Sequence, residues 1–148
     1  MSLKDKVSYV LFMRVRKSFF CEVKRLGKVN FKRGYYIYVG SSPLRTVNSR
    51  ILRHMRRKKR LFWHIDFLTS SKLCKIREIY VFRYRECSLA HALVREGFRV
   101  AREKFGSSDC NCPSHLFYSI RRRDFQKFLN RPQCTLTKTL CISVRILS

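Results

Sequence analysis

A chain of 148 residues that sets 34 Lys and Arg against 9 Asp and Glu carries a formal net charge of +25, and this imbalance constrains it more than any other feature. Like charges crowded over a domain-sized surface repel one another, and a polyanion relieves that repulsion. Cationic substrates and strongly basic partners are excluded. The chain is also 45% hydrophobic, which supplies a core and argues against disorder. At this length one compact domain is expected. No apolar run approaches the roughly 20 residues of a membrane-crossing helix, so no membrane partner is expected. The run Tyr9-Val10-Leu11-Phe12-Met13 is short and is broken by Arg14 and Arg16, unlike a secretory leader. The cytoplasm is the expected compartment, and the seven cysteines read as reduced thiols.

The pattern of apolar residues predicts strands over Val7 to Val15 and Gly34 to Gly40, with a hairpin formed by Phe19–Val23 and Val29–Phe31. Ser41-Ser42-Pro43 reads as a helix start. Val47, Ile51 and Met55 form an apolar stripe, Arg50 and His54 share a neighbouring face, and the helix is expected to end in Arg56-Arg57-Lys58-Lys59-Arg60. Phe62 to Leu68 fits a short helix, Ile76 to Tyr84 a strand, and Ser88 to Glu96 a helix closed by Gly97. A polar loop over Phe105 to Ser114 leads to a strand at His115 to Ile120, and Asp124 to Leu129 fits a helix stopped by Pro132. Leu140, Ile142, Val144 and Ile146 alternate as an edge strand would. The element order predicts a small α+β sandwich, an antiparallel sheet with helices packed against it.

Four groups of residues carry chemistry, each with a bland reading beside the functional one. Tyr9 and Tyr38 are either core aromatics or phenols near a cation that lowers their pKa for base catalysis. Arg50 and His54 are either part of a solvated basic face or a phosphate clamp. Glu86 either complements a helix dipole or holds a hard divalent cation in a chain with few carboxylates. Cys110-x-Cys112-x-x-His115, with Cys87 as a fourth ligand, is half of a zinc signature. A thiol-rich structural loop is the weightier reading, so zinc is not the expected metal. His64 and Asp66 read as local hydrogen-bonded support.

Tyr38-Val39-Gly40-Ser41-Ser42, Arg50-Ile51-Leu52-Arg53-His54, Trp63-His64-Ile65-Asp66-Phe67-Leu68, Glu86 with Leu89-Ala90, and Ser108-Asp109-Cys110-Asn111-Cys112-Pro113-Ser114-His115-Leu116-Phe117 occur in that order. The set resembles the Uri-type branch of the GIY-YIG endonuclease superfamily, common in archaea and sometimes fused to DNA-repair glycosylases. The likeness covers residues 7 to 118, although Val7-Ser8-Tyr9 stands where Gly-Ile-Tyr would. The resemblance implies a central three-stranded antiparallel sheet flanked by helices, with a nuclease-like domain over residues 1–120. Residues 121–148 would be a basic extension holding a short helix and a candidate edge strand.

It also implies one metal ion, Mg²⁺ or Mn²⁺, held by Glu86. Tyr9 or Tyr38, helped by His54, would activate water, and Arg50 would hold the scissile phosphate. Arg53, Arg56, Arg57, Lys58, Lys59 and Arg60 would contact backbone phosphates. His64, Asp66, Asp109, Cys110, Cys112 and His115 would support the site or the structure. The expected activity is metal-dependent DNA cleavage in repair or recombination, with DNA favoured over RNA. The alternative is a nucleic-acid-binding module without catalysis, and a zinc-stabilised scaffold is a third reading.

Overall fold

The computed structural model describes residues 6–82 and 85–129, and residues 142–145 for the backbone. Its chain order is β1 (Lys6–Val15), β2 (Phe19–Val23), β3 (Gly27–Phe31), β4 (Gly34–Pro43), α1 (Val47–Met55), α2 (His64–Thr69), β5 (Cys74–Phe82), α3 (Glu86–Arg95), β6 (Arg99–Val100), β7 (Leu116–Ser119), α4 (Arg122–Leu129) and β8 (Ile142–Arg145). The fold is α+β, but the expected three-stranded sheet is too small. The sheet runs β6-β7-β4-β1-β5, with β8 added at the far edge of β5. All of its pairings are antiparallel. β1 lies between β4 and β5 in this sheet. The sheet is wider than expected because Leu116–Ser119 pairs along the other edge of β4 and leaves fewer backbone groups unpaired. The hairpin β2-β3 forms its own two-stranded sheet.

β1 explains the layering. It is paired on both edges, and its side chains alternate between two cores. Tyr9, Leu11 and Met13 enter a core with Tyr38, Val47 of α1, Ile65 and Leu68 of α2, and Phe31 of the hairpin. Val10 and Phe12 enter a second core with Ile37, Val39, Leu89 and Leu93 of α3, and Phe125 and Phe128 of α4. A strand covered on both faces reads as continuous apolar sequence, which is why β1 is buried at nearly every position. The stretch expected as an extension thus contributes to the core, with Phe125 stacked on Phe12 at 5.2 Å between centroids. Arg122 Nη2 donates to the buried Glu78 of β5 at 2.7 Å. The expected helix stop at Pro132 and the ends of the alternating tail, Leu140 and Ile146, lie outside the described residues. No helix among the described residues is long and apolar enough to cross a membrane.

Two boundaries differ from expectation. β4 continues through Ser41-Ser42-Pro43 into a 3-10 turn over Leu44–Thr46, and α1 begins only at Val47. Pro43 is extended, with ψ 141. α1 then stops at Met55, and Arg56 is extended with ψ 131. Lys59 turns back instead of continuing the helix, and its ammonium donates to the carbonyls of Arg53 at 3.2 Å and His54 at 2.9 Å. Those carbonyls belong to the last turn, where i+4 backbone donors run out and Arg53 O has the Arg56 N–H as a backbone donor at 3.2 Å. The inward face of α1 also shifts, because Met55 is exposed while His54 is buried.

Gly40 sits opposite Tyr9 in the β1–β4 register, and the Tyr9 ring lies across it. A Cβ at Gly40 would stand 2.5 Å from Tyr9 Cζ, well inside van der Waals contact. Gly40→Ala should therefore destabilise the fold by about 1–3 kcal/mol through overpacking, read as a lower urea midpoint at unchanged m-value. Unchanged stability would mean that the ring is free to move.

Candidate active site

Tyr9 and Tyr38 lie on neighbouring strands and on the same face of the sheet, with ring centroids 6.5 Å apart. α1 lays His54 over both, at 5.4 Å from Tyr9 and 6.2 Å from Tyr38. Tyr9 Oη and His54 Nε2 share a buried hydrogen bond of 2.7 Å. His54 Nδ1 is buried with no hydrogen-bond partner among the described residues. Burial, followed by the Lys59 charge, pulls the His54 pKa down to about 3, so the imidazole is neutral.

Burial drives both phenols the other way, well above their ordinary value, and the Arg50 charge only partly offsets it. This corrects the sequence expectation of a lowered phenol pKa as far as the chain's own groups are concerned. Desolvation of the phenolate outweighs the nearby guanidinium.

Arg50 is held in place. Its Nη1 donates to Ser41 O at 2.6 Å, and its guanidinium lies 4.9 Å from the Trp63 ring centroid. Arg53 shares that aromatic platform at 4.3 Å but has a different task. It forms a two-pronged ion pair with Asp66, at 2.7 and 2.8 Å. Asp66 Oδ2 also accepts the N–H groups of Phe62 and Trp63. Burial alone would raise the Asp66 carboxyl, but these donors hold it below the usual range. Arg53 and Asp66 thus lock α1 to the start of α2. Lys59 is likewise turned inward, donating to Thr69 Oγ1 at 2.8 Å. Of the six cations expected on phosphates, Arg56, Arg57, Lys58 and Arg60 are exposed.

Glu86 opens α3, which packs on the opposite face of the sheet, yet its carboxylate reaches the same end of the molecule. Ser41 lies close enough to lower its pKa, and its charge acts on both phenols. Ser41 therefore stands beside both Glu86 and Arg50. The Glu86 side chain is 31% exposed. Burial raises its pKa, Ser41 and Lys6 lower it, and Asp109 raises it again. Asp109 is exposed, so two carboxylates stand within electrostatic range of each other near a surface.

A cleft of about 310 Å³ opens beside Tyr38 and Trp63, with Lys24, Arg25, His64 and Asp109 among its lining residues. His64 serves its wall, since His64 Nδ1 accepts the Gly106 N–H at 2.9 Å. A larger cavity of about 500 Å³, between the α3 end and α4, touches none of these residues. Sequence reasoning missed Lys24 and Arg25 as cleft residues, Ser41 as a neighbour of Glu86 and Arg50, and Trp63 as a platform. The chain's lone Trp beside a basic helix was the available signal for the last of these.

Cys87, Cys110, Cys112 and His115 also converge, with one ligand atom from each lying within 4.8 Å of the others. This group borders the site through Glu86, whose Oε2 is 3.7 Å from His115 Nδ1.

A family model described as a domain of unknown function, DUF123, matches residues 8–137. The match spans most of the chain and all the residues of the site, and the chain belongs to this family. No curated protein and no solved structure matches it.

The neutral His54 makes a pH prediction. Its pKa is about 3 when folded against 6.5 ordinarily, so between those values the unfolded chain binds the extra proton. Stability that is fully present above pH 6.5 is lost as pH falls toward 3, by up to about tenfold in the folding equilibrium per pH unit. His64 and His115 are shifted in the same direction, so the His54 share is the difference between wild type and His54→Gln in urea titrations. Equal slopes for the two proteins would contradict the buried, neutral imidazole.

Proposed function

We propose that this chain is a GIY-YIG-type endonuclease that hydrolyses phosphodiester bonds of DNA with the help of a divalent cation. The observation that carries the reading is the convergence of two phenols, an imidazole, a guanidinium and a carboxylate from β1, β4, α1 and α3. These elements are separated in sequence, and no core requirement explains a partly exposed Glu86 at their meeting point. The +25 charge and the Lys24 and Arg25 wall of the cleft suit a phosphate backbone.

The carboxylate oxygens of Glu86, with Asp109 nearby, fit a hard cation such as Mg²⁺ or Mn²⁺. Bound there, the ion would supply positive charge that stabilises a phenolate and the departing oxygen. Arg50 is preorganised by Ser41 and Trp63, and the rest of its donor fork would take the non-bridging phosphate oxygens. His54 fixes the Tyr9 hydroxyl, so Tyr9, once it has given its own proton to solvent, is assigned to orient the attacking water and accept its proton, while Tyr38 shapes the floor beside Gly106. Arg56, Arg57, Lys58 and Arg60 would hold the flanking backbone.

The raised phenol pKa values favour one second reading, a nucleic-acid-binding module without catalysis. Single-turnover cleavage of duplex, branched and single-stranded DNA, and of RNA, separates the two. Glu86→Gln and Arg50→Ala should each lower the cleavage rate by about 10²-fold or more with little change in DNA affinity. Wild-type rates from both variants would refute the site assignment. Neutralising Arg56, Arg57, Lys58 and Arg60 together should weaken binding without changing sequence preference. It should also flatten the log–log salt dependence by about 0.9 for each phosphate no longer neutralised. An unchanged slope would place the backbone-binding cations elsewhere.

A further inference from the structure

We propose that Cys87, Cys110, Cys112 and His115 form a closed, structural Zn²⁺ site that ties the first turn of α3 to the loop preceding β7 and so positions the Glu86 carboxylate. Tetrahedral zinc with Zn–S of about 2.3 Å and Zn–N of about 2.0 Å places sulfurs about 3.8 Å apart, and sulfur and nitrogen about 3.5 Å apart. All four ligand atoms here lie within 4.8 Å of one another, and Cys110 Sγ is 3.5 Å from His115 Nε2. That spacing suits one ion. A two-iron cluster would spread its ligands further apart.

Three thiols and an imidazole are a soft donor set, which selects zinc over Mg²⁺. Four protein ligands leave no open coordination position, which marks a structural site. This reverses the weight given to zinc from the half-signature alone. The sequence offered Cys87 as a fourth ligand, and the structure brings it, from a different element, to the other three.

A second observation comes from His115. Its ring is 1% exposed, its Nδ1 makes no hydrogen bond among the described residues, and that nitrogen faces Glu86 Oε2 at 3.7 Å. Ligation through Nε2 fixes the tautomer with its proton on Nδ1, aimed at the carboxylate, the usual support for a metal-bound imidazole. His91 Nε2, 3.8 Å from Cys112 Sγ, is placed to donate to that thiolate from outside. Binding is balanced by the release of three thiol protons, leaving a centre of net charge −1 in a strongly basic protein. The zinc site stands whether or not the chain cuts nucleic acid.

The test is metal content. Full-length protein purified under reducing conditions should carry one zinc per chain, released when a mercurial blocks its thiols. Co²⁺ exchange should give the intense visible bands of a tetrahedral thiolate site. Cys110→Ser with Cys112→Ser should lose the zinc, whereas Cys21→Ser should keep it. Glu86→Ala should weaken zinc by about 10–100-fold in chelator competition. The wild-type stoichiometry decides the matter even if the double variant fails to fold. Wild-type protein without zinc, a disulfide among these cysteines, an iron–sulfur chromophore, or full zinc in the double variant would each overturn the proposal. Unchanged zinc affinity in Glu86→Ala would overturn the Glu86 link.

Discussion

Burial of β1 on both faces and pairing along both edges is the constraint on which the molecule depends. A strand so enclosed has its register fixed, because a slip of one residue would exchange the two cores. Register in turn places Tyr9 opposite Gly40, where the missing side chain leaves room for the phenol ring. From there the hydroxyl meets His54 of α1. The burial of one strand on both faces thus sets the position of a polar pair without any long-range polar interaction being required to find it.

The second organising force is electrostatic. A chain with nine carboxylates among 34 cations uses each one sparingly. Asp66 and Glu78 are buried and joined to Arg53 and Arg122, where they fix α1 to α2 and α4 to β5. Buried pairs of this kind are costly to break because one charge is left uncompensated. Glu86 and Asp109 are the carboxylates near the phenols that stay open to solvent. The division between enclosed and accessible carboxylates, more than the total charge, marks out where a cation and a phosphate would meet.

Much of this was readable before the fold was known. β1, the hairpin, the start of β4, α3 and the loop before β7 follow from alternation, glycine positions and composition. The sheet's width was not readable, because β6 is two residues long and pairing partners are chosen in three dimensions. The end of α1 was misjudged because a run of cations looks like a favourable helix terminus, whereas Lys59 serves that role from outside the helix. Arg53 and Lys59 looked like phosphate ligands, since nothing local reveals that Asp66 and Thr69 will claim them. All four members of the sulfur cluster were named from the sequence. Cys110, Cys112 and His115 are close along the chain, and the packing of α3 beside their loop brings in Cys87.

The most direct measurement is a single-turnover reaction of the wild-type protein with branched and duplex DNA in ¹⁸O-enriched water, with Mg²⁺ present and with chelator in its place. The account predicts Mg²⁺-dependent products whose new terminal phosphate carries one ¹⁸O atom, the mark of hydrolysis by water. DNA that is bound tightly and stays intact with every divalent cation would contradict it.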